Sequence, residues 1–163
     1  MRTIILYTLL LSLTSCHFRV NRNRLSHIRQ LPDFRIISLD STRCINTECI
    51  TNGQPMVFFY FDPDCTHCQK VTKELLQHRN QLSNTKLYWV TNGDEELLKR
   101  FCQFYHLDTI QNIMIGKDYE YSFYRAFQPP AVPFLAIYNN QKSLVKIYKG
   151  EINIHSIIAA TRE

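Results

Sequence analysis

Cys65-Thr66-His67-Cys68 joins residue types and spacing that describe a reaction: two thiols three positions apart, with an imidazole between them. The flanking residues decide what that spacing means. Residues 55–61 (Pro-Met-Val-Phe-Phe-Tyr-Phe) form a continuous apolar and aromatic run, the pattern of a strand buried on both faces of a sheet. Asp62-Pro63-Asp64 breaks that run, and from Thr66 to about Leu82 the apolar residues Val71, Leu75, Leu76 and Leu82 recur at helical spacing. A strand feeding straight into a helix places Cys65 at the helix N-terminus, where unpaired N–H groups and the positive end of the dipole favour a thiolate. Cys65 is therefore the expected nucleophile. Cys68, one turn along and expected to be more buried and less acidic, can return to the Cys65 sulfur and resolve a mixed disulfide. Such a pair carries two electrons as a dithiol and releases them on closing its own disulfide, so neither a bound cofactor nor a metal is expected.

The rest of the chain supplies a frame for that turn. Residues 34–39 alternate as a strand does, and residues 44–49 follow as a polar excursion. Residues 86–90 read as a second short apolar strand, and Asp94-Glu95-Glu96 puts acids on the first turn of a helix running to about Tyr105. Residues 109–127 are less regular, with a strand near 113–115 and a short helix near 121–127, and read as a variable insertion. Residues 134–138 and 144–148 make a hairpin about Asn139-Asn140-Gln141, and a last helix spans about 153–160. The order β-α-β-α then β-β-α predicts an α/β fold with a mixed central sheet, helices on both faces and an N-terminal extension.

These features resemble the thioredoxin superfamily, and particularly the exported TlpA-like and ResA-like thiol–disulfide oxidoreductases of bacteria. The resemblance runs from about Phe34 to the C-terminus and rests on residues 57–61 feeding the cysteine turn and on Val132-Pro133 before the Phe134 strand. It implies a thioredoxin-like fold in which Pro133 is cis and faces the cysteines, with Val132 turned toward substrate. Histidine beside the resolving cysteine resembles the DsbA-type oxidases: His67 can donate a hydrogen bond or place charge near the Cys65 thiolate, which makes the pair more oxidising. An exposed helix-start histidine without redox effect is the alternative. Two positions depart from thioredoxin, which has a buried carboxylate where this chain has Phe59 and a tryptophan where it has Asp64. The TlpA-like resemblance implies a reductant of protein disulfides, supplied with electrons by a membrane protein, and that direction is the expectation here.

The N-terminus bears on location. Met1-Arg2 precedes an apolar run from residue 4 to 13, too short to span a bilayer as a folded helix, and residues 1–15 read as a signal peptide. Leu13-Thr14-Ser15-Cys16 resembles the bacterial lipobox, which makes Cys16 the expected lipid anchor; an uncleaved signal anchor is the alternative. The net charge of +5 could suggest nucleic acid, but from residue 30 onward 14 basic and 14 acidic residues balance. The excess lies in Arg2, Arg19, Arg22, Arg24 and Arg29, so nucleic acid is not an expected partner. Residues 16–31 are read as a basic tether that can also touch anionic head groups, and residues 32–163 as one domain, monomeric by default, in the cell envelope facing the periplasm.

Three further cysteines remain. Cys44 and Cys49 enclose only four residues and could close a structural disulfide in an oxidising compartment; a second redox pair or two free thiols are the other readings. Cys102 falls on a core-facing helix and reads as an inert buried thiol. The competing function is a metal-binding or copper-delivering thioredoxin-like lipoprotein using Cys65 and Cys68, and Cys44 and Cys49 with that pair approach a four-thiolate zinc spacing. A zinc ribbon, however, sets its cysteines on tight turns with little core around them, unlike the strand and helix about Cys65.

Overall fold

Strand β3, Met56–Tyr60, has all five residues buried, as a strand covered on both faces requires. The computed structural model, which describes residues 26–39 and 41–163, places it inside a seven-stranded mixed sheet. The other strands are β1 (Arg35–Ser38), β2 (Cys44–Asn46), β4 (Lys86–Thr91), β5 (Ile113–Lys117), β6 (Phe134–Tyr138) and β7 (Leu144–Lys149). Their order is β2-β1-β5-β4-β3-β6-β7. β3, β4 and β5 run parallel, so their C-terminal ends lie together at one edge, and β6 runs antiparallel to β3. The helices are α1 (Thr66–Gln77), α2 (Glu95–Tyr105), α3 (Ser122–Phe127) and α4 (Ile154–Ala160). Among the described residues, no helix is long and apolar enough to cross a membrane.

Alternation along the strands divides the core into two layers. Val57, Phe59 and Phe61 join Leu87, Trp89, Leu135 and Ile137 on the face that receives α1, α2 and α4. Phe58, Tyr60, Tyr88 and Phe134 point to the other face, where Phe123 and Phe127 of α3 close an aromatic cluster. Tyr60 stacks on Phe123 at 5.1 Å, and Phe34 meets Phe58 edge-on at 5.2 Å. Each helix that flanks the site starts on a capping side chain: Cys65 for α1, Asp94 for α2 and Asn153 for α4.

Four parts of the sequence reading are corrected by the fold. Residues 109–127 are no insertion: β5 lies between β1 and β4 and α3 covers the second core layer. The excursion at 44–49 contains a strand, β2, paired with β1 through Ile36 opposite Ile45. The domain also begins before residue 32. Ile28 is buried, its carbonyl accepts from the Tyr138 hydroxyl at 2.9 Å, and Gln30 bridges Ser143, so residues 26–31 pack on the sheet instead of hanging as tether. The helix expected to reach Leu82 ends at Gln77 and continues as a 3₁₀ turn, Arg79–Leu82. The segment read as a signal peptide, residues 1–15, and Cys16 lie outside the described residues.

β5 can lie this close to β1 only because residue 116 has no side chain. A Cβ there would stand 2.5 Å from the Ile37 carbonyl oxygen and closer still to Ile36 Cγ2. Gly116→Ala is therefore expected to destabilise the protein by at least about 2 kcal/mol, seen as a lower urea midpoint. An unchanged midpoint would contradict the β1–β5 pairing.

Candidate active site at the cysteine turn

The site is built by the five residues, 61–65, that turn β3 into α1. Phe61 N–H still pairs with the Val90 carbonyl at 3.0 Å, and the chain then closes a turn in which Cys65 N–H donates to the Asp62 carbonyl at 3.1 Å. Asp62 Oδ1 accepts from Asp64 N–H at 2.8 Å, and Gln69 Nε2 donates to the Pro63 carbonyl at 3.0 Å. Cys65 is extended, at φ −79° and ψ 116°, and caps α1: its carbonyl accepts from Gln69 N–H at 2.9 Å and its sulfur from Cys68 N–H at 3.4 Å. The sulfur thus occupies the place of a capping oxygen, facing one of the orphan N–H groups of the first turn.

The two thiols have unlike surroundings. Cys65 is half-buried, whereas Cys68 is wholly buried among the residues packed on Phe59 and Phe61. Burial pushes the Cys68 thiol far above its ordinary value, and Cys65 and the Asp62 carboxylate push it the same way, while a hydrogen bond with the Asp62 backbone works against them. Cys68 is a neutral thiol at neutral pH. Thr66 and His67 between them are exposed. His67 is within electrostatic reach of Glu151, whose carboxylate is held below its ordinary value mainly by Lys70, 2.9 Å away, with a smaller effect from His67. Thr66, His67 and Lys70 face Gly150, Glu151 and Ile152 across a cleft of about 160 Å³.

The Val132–Pro133 peptide bond is cis. Phe134 pairs with Tyr60, so Val132 and Pro133 lie beside the stretch of chain that runs from β3 into the turn. The Pro133 carbonyl is held by Gly150 N–H at 2.9 Å, and Val132 and Cys65 pack against the same core layer. The fold thus gathers Cys65, Cys68, His67, Val132 and Pro133 at one edge of the sheet.

The other cysteines stand apart. All five described cysteines are free thiols, and the Cys44–Cys49 bridge considered from the sequence is not formed. Both are exposed, and the Cys44 sulfur accepts from the Arg35 guanidinium at 3.8 Å. Cys44 lies on edge strand β2, four strands from β3, and among the described residues no group of three or more Cys, His, Asp or Glu could hold a metal ion. Cys102 is buried on α2 and its thiol is pushed up to about 11, chiefly by burial.

Phe59, at the position of thioredoxin's buried carboxylate, is sealed in the core, edge-on to Trp89 at 5.4 Å. The carboxylate that acts on the buried thiol is Asp62 instead. Sequence reasoning passed over it as a strand breaker; its place three residues before Cys65 was the available signal.

No protein-family model and no curated protein matches the sequence. Solved structures are similar over most of the chain. A secreted disulfide oxidoreductase of Mycobacterium tuberculosis homologous to E. coli DsbE has a TM-score of 0.66 at 14% identity, covering 83% of this chain and 96% of that one. The pneumococcal exposed lipoprotein thioredoxin Etrx1 from Streptococcus pneumoniae gives 0.62 at 14% identity, covering 80% and 98%. A peroxiredoxin-like protein from Aquifex aeolicus gives 0.66 at 13% identity, covering 82% and 84%. The fold is thioredoxin-like, and at these identities the likeness is one of fold.

The burial difference has a direct readout. Iodoacetamide at pH 8 is expected to modify Cys44, Cys49 and Cys65 in the native protein and to spare Cys68 and Cys102 until urea is added. Mass spectrometry of tryptic peptides checks this, and native-state modification of Cys68 would refute its burial.

Proposed function

We propose that the chain is a thiol–disulfide oxidoreductase acting on protein substrates in the bacterial cell envelope, with Cys65 as nucleophile and Cys68 as resolving thiol. The observation that carries the reading is the asymmetry of the pair: an accessible sulfur capping a helix, and a buried neutral thiol one turn behind it. In the reductive direction the Cys65 thiolate attacks a substrate disulfide, forming a mixed disulfide and releasing one substrate thiolate. Cys68, once deprotonated, attacks the Cys65 sulfur and releases the second. Two electrons pass from the cysteine pair to the substrate, and a membrane donor of the thiol–disulfide class restores the dithiol. Val132 and the cis Pro133 serve as the substrate-facing edge.

Cys16 as lipid anchor, with the basic segment after it as tether, places a monomeric enzyme at the membrane facing the periplasm. The secreted oxidoreductase and the exposed lipoprotein thioredoxin among the similar structures support that setting. The direction we favour is reductive, as the TlpA-like resemblance implies. A pair is a strong oxidant when the thiolate of its reduced form is stabilised, and Glu151, within electrostatic reach of His67, offsets the positive charge that His67 could bring to Cys65. That supports a reductant.

Cys68→Ser is expected to accumulate substrate proteins as stable mixed disulfides on Cys65, resolved by diagonal gels; their absence under oxidising growth would count against catalysis. Equilibration against a glutathione series with thiol counting should give a potential nearer −270 than −120 mV, on the order of thioredoxin's. Asp62→Asn should move the pH dependence of mixed-disulfide resolution by Cys68 to lower pH, read by quenched-flow release of a substrate thiol, since the Cys68 thiolate formed in that step loses an opposing charge. A shift of the opposite sign would overturn the role given to Asp62.

A further inference from the structure

A second concavity, a groove of about 700 Å³, opens on the α3 side of the sheet beside β7. Phe134 and Ile147 contribute apolar floor, and Pro129-Pro130 forms one wall. Arg125 and Lys149 supply its charged groups, with His27 and Tyr124 beside them, and no carboxylate lines it. Arg125 is steadied by donating from Nη1 to the Glu120 carbonyl, and among the described residues neither Arg125 nor Lys149 forms an ion pair. His27 Nε2 lies 2.8 Å from the Ala126 carbonyl, which ties the chain before β1 to α3.

β7 is the last strand of the sheet. Its outer edge is met only at its start, where Gln30 bridges Ser143 and Leu144 N–H donates to the Arg29 carbonyl at 2.8 Å. The 3₁₀ turn at Ser26–Ile28 then carries the chain toward α3. Beyond Leu144, no strand among the described residues pairs with that edge. An open edge beside a recessed apolar floor suits an extended chain, whose main-chain groups can continue the ladder.

The groove leads to the cysteines. Pro129-Pro130 runs within three residues into the cis Val132–Pro133 bond, and Lys149 is followed by Gly150 and Glu151, which face His67 across the small cleft. We propose that this groove docks an extended, acidic peptide segment of the protein that reacts at Cys65, its backbone along β7 and its carboxylates on Arg125 and Lys149. The proposal rests on the redox reading above and names the substrate class of that site. A flat anionic membrane would be met by projecting cations, whereas here they flank a trough.

The test uses the full chain and two fluorescein-labelled, cysteine-free ten-residue peptides, one alternating Glu with Val and the other Gln with Val. Anisotropy should show the Glu peptide binding about tenfold more tightly than the Gln peptide, with Arg125→Glu/Lys149→Glu removing that preference and added salt weakening it. The milder Arg125→Gln and Lys149→Gln variants, checked by circular dichroism, should each reduce it in part. Equal binding of the two peptides, a preference untouched in folded variants, or binding by the wild type of anionic phosphatidylglycerol vesicles but not of the Glu peptide would each overturn the proposal. Wild-type reduction of the neutral hydroxyethyl disulfide is measured in parallel. Its absence would strike the redox reading and leave the peptide result to stand or fall by itself.

Discussion

The site depends on one hydrogen bond and the burial that accompanies it. β3 is sealed on both faces, and five residues after it ends Cys65 presents its sulfur to the Cys68 N–H. That contact makes a thiol into a helix cap, and the helix it starts drives Cys68 into the core layer beside Phe59 and Phe61. Two identical functional groups three residues apart thereby become unlike, one reachable and the other neutral and enclosed. A longer turn would relax both conditions together. The Asp62 carbonyl and carboxylate, bonded to Cys65 N–H and Asp64 N–H, keep it short.

The sheet supplies the other half of the site by register. Antiparallel pairing of β6 with β3 fixes Phe134 opposite Tyr60, so the cis bond one residue earlier has to fall beside the cysteine turn. Parallel pairing of β3, β4 and β5 aligns their C-terminal ends at that edge, and Gly116 lets the N-terminal hairpin close the far side. With Phe59 filling the interior beneath the cysteines, no carboxylate can work from within the sheet, and the charge that acts on Cys68 comes from the turn. Its half-exposed position makes Asp62 better solvated than a carboxylate sealed in the core, and a weaker influence in either direction.

Most of the frame was legible because it is periodic. The unbroken apolar run of β3, the spacing of Val71, Leu75 and Leu76 on α1, the acids that open α2 and the hairpin about Asn139 each carry a local signal. Other elements carry less. β2 is three residues long and exists because β1 offers it an edge; β5, expected as a strand near 113–115, owes its place between β1 and β4 to the fold and not to its pattern. The stretch from Ser26 to Leu31 is polar and basic except for Ile28 and Leu31, and it is held by main-chain bonds that no side-chain pattern announces. Asp62 was hidden for a related reason: a carboxylate matters through what lies near it, and its target is buried only once α1 has formed. The free Cys44 and Cys49 thiols show the converse, since short spacing allows a bridge without requiring one.

Charge shows the same limit in sharper form. From residue 30 onward the charges cancel, and composition alone makes the body electrostatically featureless. The fold unmixes them. Asp62, Asp64 and Glu151 cluster about the cysteine turn, while Arg125 and Lys149 lie on the other side of the Pro133 loop with no carboxylate between them in the groove. With a screening length of about 8 Å at physiological salt, an approaching chain responds to whichever cluster is local and not to the net sum. A body whose charges balance can therefore present a cationic approach to a site whose own carboxylates oppose thiolate charge, and the two effects act on different steps, arrival and reaction, without cancelling.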